Sequence, residues 1–309
     1  MSSQSSFGAV LPLLPAPLQA PLSRLRPAEQ NEITEIRLRI GRAMHVTRGG
    51  AERVVTAEGA LAAEPASGVP VTRQLLDQTL QNLCAHSLHA CQHAIRQGYV
   101  TAAGGCRAGL CGTAVMQGGT VETVRALSGI NLRIASARTG CAEPVFRMCR
   151  DLPGGILICG APASGKTTVL RDLARLFGAA KQVSVMDERG EIAAVQNGVP
   201  QFDLGAQTDV FDGYPKAEGI AVAVRVMSPQ ILICDELGGA AETDALLHSL
   251  HTGVRLIASA HAESIPALRR RPQIRRLIEA GAFSHAILLG SGAQCGQVLA
   301  AEALAPVCV

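Results

Sequence analysis

Tryptophan is missing from the 309 residues, and aromatics make up only 3% of them. Proteins that hold single-stranded nucleic acid stack its bases on aromatic side chains, so no such platform is expected here. The net charge of +3 is also too small to draw in a polyanion, and nucleic acid is not an expected partner. No apolar run reaches the roughly 18 residues of a membrane-spanning helix. The first 25 residues lack an early positive charge, and Pro12, Pro15, Pro17 and Pro21 break their apolar stretch, so a secretory leader is not expected. None of the ten cysteines falls at Cys-x-x-Cys spacing, and Cys159 and Cys234 lie inside apolar runs as small hydrophobes. A reducing cytoplasm is the expected compartment.

Lysine is the scarcest charge. Of 28 basic residues only Lys166, Lys181 and Lys216 are lysines, and the rest are arginines. A lysine in such a chain marks a place that asks for a compact ammonium rather than a planar guanidinium. Lys166 lies in a glycine loop described below. Lys216, in Gly213-Tyr-Pro-Lys-Ala-Glu-Gly219, is a second functional candidate, set against the plainer alternative of a solvated loop lysine.

What is present has two textures, changing near residue 150. Residues 1–150 carry 15 basic and 9 acidic residues, net +6, and residues 151–309 carry 13 and 16, net −3. In the first part, 36–40 alternates apolar and basic residues as a half-buried strand, and 74–96 has helical apolar spacing. Residues 51–72 show no period and are expected to be loop. Residues 99–115 combine short apolar runs with glycines, the pattern of strands and tight turns. A small amino-terminal α+β domain follows from this. In the second part, short apolar strands at 156–159, 183–186, 231–234, 254–259 and 286–289 alternate with helical segments. That alternation predicts an α/β core, a parallel sheet covered on both faces, with ligands at the carboxyl ends of its strands. Residues 220–227 fit either helix or strand.

The polar residues gather at those ends. Gly160, Ala161, Pro162, Ala163, Ser164, Gly165, Lys166 and Thr167 follow a strand and open a helix, with Thr168 behind them. Glycines let backbone N–H groups turn inward around phosphates, and the helix start adds its positive end. The motif predicts ATP with Mg2+ as cofactors: Lys166 on the β- and γ-phosphates, Thr167 and Asp235 toward the metal. Asp235-Glu236 ends the strand 231–234, and Asp187-Glu188-Arg189 ends 183–186. Two general-base candidates therefore stand open, Glu236 and Glu188. His261 ends another strand, where it is placed to sense the γ-phosphate. His86, His89 and His93 are expected on one solvated helical face, and Arg269–Arg271 with Arg275 and Arg276 on a solvated or subunit-facing helix.

Together these motifs resemble the stage III sporulation protein AA family of ATPases. The likeness runs through Glu35-Ile-Arg-Leu-Arg-Ile-Gly41, Gly98-Tyr-Val-Thr101, Gly104-Gly-Cys-Arg-Ala-Gly-Leu-Cys-Gly112 and Ile130-Asn-Leu-Arg133. It continues through the glycine loop, Val185-Met-Asp-Glu-Arg-Gly-Glu-Ile192, Lys216-Ala-Glu-Gly-Ile220, Asp235-Glu-Leu-Gly238 and Ala258-Ser-Ala-His261. Cys106 and Gly190 stand where that family usually has histidine and serine. The resemblance implies a RecA-like P-loop core related to the hexameric type II and type IV secretion ATPases. It implies a homo-oligomeric ring, cytoplasmic and peripheral at a membrane, that energises a membrane protein complex during sporulation. It also places Asp187 with Glu188, Asp235 with Glu236, and His261 at that group's acidic, carboxylate and histidine positions. An arginine reaching between subunits is expected, with Arg107, Arg133 and Arg225 as candidates. The rivals are a nucleic-acid-dependent ATPase and a small-molecule kinase.

Overall fold

The strands of the second part are buried from end to end: all six residues of Gly155–Gly160, all five of Val183–Asp187 and all four of Ile231–Cys234. Such runs need cover on both faces, and each buried Ile or Leu contributes about 1.5–3 kcal/mol. The computed structural model describes residues 2–89 and 91–304, which form two units. One holds Arg138–Val195 and the chain from Phe202 on, and the other holds Ser3–Ala137 with Gln196–Gln201.

The first of these is the RecA-like unit. Its sheet runs in space Thr208–Asp212, Val183–Asp187, Ile231–Cys234, Arg255–His261, Gly155–Gly160, Phe283–Leu289, Val298–Ala303. All neighbours are parallel except the last pair. Register sets Gly160 level with His261, and Cys234 level with both Met186 and Ala258. The polar residues that follow these positions therefore leave the sheet along one edge. Helix Lys166–Gly178 turns Val169, Leu170, Leu173, Ala174 and Phe177 inward, the spacing of a single helical face.

Helix Glu143–Cys149 also packs with this unit, on the far side of the expected change at residue 150. Phe146 meets Phe177 edge-on at 4.8 Å, and the Ala142 N–H donates to Asp172 at 2.8 Å. Two strands arose where none was expected, Thr208–Asp212 and Val298–Ala303. Both lie at sheet edges, where one-sided burial leaves no continuous apolar run. Residues 220–227 are helical, with Lys216–Val222 passing into one wide π turn, Ala223–Met227.

The amino-terminal unit is a seven-stranded antiparallel sheet. Its order is Leu61–Ala62, Ala51–Val55, His45–Arg48, Ile33–Arg39, Thr120–Arg133, Cys106–Gln117, Tyr99–Ala102. Ile36, Leu38, Val46, Leu76 and Leu132 are fully buried in its core. Two expectations fail here. Residues 51–72 hold two strands, because Val54 and Val55 are buried against neighbouring strands although the run is too short to show a period. The single helix expected over 74–96 is broken into Arg73–Leu83 and Gln92–Arg96. Ala85 and His86 take left-handed backbone angles, φ 45° and 61°, which end the first helix. His86 and His89 therefore lie outside both helices, and the expected placement of His93 falls on a side chain outside those described.

Candidate functional site

The glycine loop begins where Gly155–Gly160 ends. A Cβ on Gly160 would stand 2.4 Å from Ser164 Oγ and 2.9 Å from the Leu289 carbonyl, so no larger residue fits. Gly165 turns the chain at φ +86°, and Lys166 opens the helix directly behind it. Pro162 and Ala163 are exposed at the crown, and Ala163 is left-handed too, at φ +59°. Ser164 is wholly buried and its hydroxyl has no hydrogen-bond partner. The turn after Phe283–Leu289 braces the loop: Gly296 N–H donates to the Ser164 carbonyl at 3.0 Å, and the Cys295 thiol to that of Ala163 at 3.3 Å. Thr168, half-buried, accepts the Cys141 thiol on its carbonyl.

Lys166 is 5% exposed, and its ammonium donates to the carbonyls of Gly160 and Ala161 at 3.1 and 2.9 Å. Burial pushes its pKa below the ordinary lysine value, against the opposing pull of Asp235 and Glu236. Thr167 Oγ1 donates to Asp235 Oδ2 at 2.6 Å. The other oxygen of Asp235 accepts from Ser259 Oγ and, at 3.0 Å, from the Glu236 N–H. The helix start and the end of Ile231–Cys234 are thereby tied together at the Thr167–Asp235 pair.

A polar chain leads onward. Lys166 Nζ lies 3.2 Å from His261 Nδ1, and His261 Nε2 lies 2.9 Å from Glu236 Oε1. An ammonium only donates, so Nδ1 is the acceptor and Nε2 carries the hydrogen given to Glu236. Glu236 Oε2 accepts from Arg189 at 2.6 Å. Burial raises the Glu236 pKa, but the His261 hydrogen bond and the charges of Arg189 and Lys216 outweigh it and leave the carboxyl below its ordinary value. Arg271 donates to the His261 carbonyl at 2.7 Å, holding that strand end from outside.

The acidic pair at 187–188 divides. Asp187 points back into its own loop and accepts the N–H groups of Glu191, Ile192, Ala193 and Ala194 at 2.7–3.3 Å. Arg171 locks the same loop through the carbonyls of Glu191 and Ile192 and stacks 3.7 Å over Phe202, burial bringing it down to about 10. Glu188 is half-exposed and lies 3.9 Å from Lys216. A small cleft at the strand ends is lined by Glu188, Arg189, Lys216, Asp235 and Glu236.

Thr167, Lys166, Asp235, Glu236 and His261 thus form one connected group, and Glu188 stands apart from it across Lys216. Sequence reasoning did not single out Ser259 or Glu242, and it expected Arg271 to face solvent or a subunit boundary, whereas its guanidinium turns in to the His261 carbonyl. For Ser259 there was a signal: a serine in an otherwise apolar strand, two residues before His261 and so on the same face. Arg271, at the N-cap of helix Pro272–Glu279, and Glu242, in helix Ala240–Leu250, are placed by helix docking that no local pattern encodes. Of the arginine candidates, Arg107 stacks 3.6 Å over Tyr99, Arg133 lies 3.4 Å from Glu35, and Arg225 is exposed on the π turn.

The family described as "Sporulation stage III, protein AA" matches residues 10–302. The chain belongs to that family. It is 37% identical over 293 residues to "Stage III sporulation protein AA" of Bacillus subtilis (strain 168), covering 93% of this chain and 92% of that one. Among solved structures it is similar to the ATPase DotB of Legionella pneumophila, with a TM-score of 0.52 and 14% identity over 83% of this chain and 72% of that one. It is similar too to the pilus retraction motor PilT with bound ADP, at a TM-score of 0.55 and 15% identity over 83% and 74%. At such identities the likeness establishes the fold alone, which this chain shares with the ATPase DotB and the pilus retraction motor PilT. Among the described residues no helix is long and apolar enough to cross a membrane.

Proposed function

We propose that this protein binds ATP with Mg2+, hydrolyses it to ADP and phosphate, and uses the turnover to drive a membrane-associated assembly during sporulation. The observation that carries the reading is the 2.6 Å hydrogen bond from Thr167 to Asp235 beside the glycine loop. It sets a hydroxyl and a carboxylate side by side, the hard-oxygen pair that suits Mg2+, an ion that takes its remaining ligands from water and phosphate. The unpartnered hydroxyl of Ser164, buried within the loop, fits a loop with polar capacity left for an anion. When bound, the ion neutralises charge on the phosphate oxygens. Lys166 holds the β- and γ-phosphates as a point charge. Glu236 takes the proton of the water that attacks the γ-phosphorus, and its place one residue after Asp235 favours it over Glu188. His261, hydrogen-bonded to both Lys166 and Glu236, passes on the presence or loss of the γ-phosphate.

The working form in this reading is a hexameric ring, cytoplasmic and held peripherally at a membrane. One arginine, Arg107, Arg133 or Arg225, reaches a neighbour's γ-phosphate. Support comes from the fold shared with DotB and PilT, and from the basic 1–150 segment, net +6 beside −3.

The test is phosphate release by the purified full-length chain with ATP and Mg2+, with chelator, and with added single-stranded oligonucleotide. Release that needs Mg2+ and ignores the oligonucleotide is expected. Release that appears only with oligonucleotide would replace the reading by a nucleic-acid-dependent one. Mixing Lys166→Ala chains with arginine-variant chains tests the ring, since a hybrid boundary with one intact loop and one intact arginine should regain activity.

A further inference from the structure

The Lys216 side chain is 10% exposed, and its two carboxylate partners among the described residues, Glu242 and Glu188, stand back at 3.8 and 3.9 Å. Its hydrogen bond goes instead, at 2.9 Å, to the backbone carbonyl of Glu236. That residue is unusual in its own right. Glu236 is left-handed at φ +51°, a conformation that a side chain with a Cβ adopts only when its surroundings hold it there. On the amino side, its N–H is held by Asp235 Oδ1 at 3.0 Å and Ser259 Oγ at 2.9 Å. On the carboxyl side, its peptide is held at both polar ends: the carbonyl by the Lys216 ammonium and the Leu237 N–H by the Ser259 carbonyl at 2.8 Å, Lys216 being the side chain that reaches it. The carboxylate leaves this turn to meet His261 at 2.9 Å.

We infer that Lys216 is a positioning residue for Glu236: by clamping its carbonyl it keeps the left-handed turn, and the turn aims the carboxylate at the reacting water. Glu188 and Glu242 offset the charge of the clamp from either side, the first at the end of Val183–Asp187 and the second at the start of helix Ala240–Leu250. Glu242 is itself fixed by the N–H groups of Gly238 and Gly239. A compact ammonium fits between these three segments, which accounts for one of the three lysines of an arginine-rich chain. The inference rests on hydrolysis with Glu236 as the base.

Single-turnover hydrolysis and nucleotide affinity are measured for wild type, Lys216→Met, Glu236→Gln and the double variant. Lys216→Met is expected to slow the chemical step roughly 10- to 100-fold, the scale of a misplaced catalytic group, with nucleotide affinity kept within about threefold. In the Glu236→Gln background the same change is expected to cost less than about twofold, because the group it positions is already gone. Equal losses in both backgrounds, or no loss in wild type, would overturn the inference. If Lys216→Met does not fold, Lys216→Arg carries the test. It keeps the charge but not the compact shape, so melting is expected to match wild type while turnover stays several-fold slower, and full turnover would overturn the inference. A wild-type chain that hydrolyses no ATP would sink the proposed function itself, a distinct outcome.

Discussion

The two units place their polar groups in opposite ways. In the RecA-like unit Lys166, Asp172, Asp187 and Asp235 are buried, together with the hydroxyls of Ser164, Ser184, Thr243, Ser249 and Ser259. In the amino-terminal unit Thr79 is the one buried polar residue among those described, and its hydroxyl bonds its own helix. Burying a charge costs several kcal/mol unless partners satisfy it, so a chain carries such groups where chemistry or specificity requires them. The first unit satisfies each of its four through named partners, and three of the four stand at one edge of the sheet. The second keeps its charges at the surface, in pairs such as Arg26–Glu29 and Arg48–Glu32. One unit is built around reactive groups, the other around an apolar core with a charged skin.

Substitutions can break or sharpen that contrast. The largest effect is expected from Lys166→Ala, which should remove phosphate release altogether while circular dichroism and melting stay near wild type; retained turnover would undo the assignment of the loop. Next comes Glu236→Gln, which should still bind ATP and turn it over about 100-fold or more slowly. If Glu188→Gln proves the slower of the two in the same phosphate assay, the base lies on the neighbouring strand end instead. In the other unit, Leu132→Ala should lower stability by about 2–5 kcal/mol, read by denaturant titration, with turnover per folded molecule unchanged. A drop in turnover there would show that the second unit reaches the chemistry.

The smallest effect concerns a surface pair. The hydrogen bond from Arg26 holds the Glu29 carboxyl down at about 2, below its ordinary 4.5. A carboxyl depressed on folding stabilises the fold above its unfolded value and loses that contribution as pH falls through its folded one. The melting difference between wild type and Glu29→Gln should therefore be small but present at neutral pH, and should narrow from about pH 5 to about pH 2. A difference that grows on acidification would contradict the pairing.

Legibility in the sequence follows the same division. The strands Gly155–Gly160, Val183–Asp187 and Ile231–Cys234 could be read because burial on both faces writes a continuous apolar run. The glycine loop could be read because its spacing only makes sense between such a strand and a helix. Edge strands such as Thr208–Asp212 and Val298–Ala303, and the short Ala51–Val55, escaped because half-buried or brief segments write no period. The helix over 74–96 was misjudged because apolar spacing ran on through the chain reversal at Ala85 and His86.

Within the site, residue chemistry and strand-end placement are local matters, and the sequence by itself determined them: a lysine and a threonine after the glycines, carboxylates after two apolar strands, a histidine after a third. Which of these meet depended on register and helix docking, which join residues far apart in the chain. Only the tertiary structure decided that Thr167 bonds Asp235, that Asp187 turns into its own loop, and that His261 joins Lys166 to Glu236. The same holds for the Lys216 ammonium on the Glu236 carbonyl, since no local pattern tells a buried clamp from a solvated lysine.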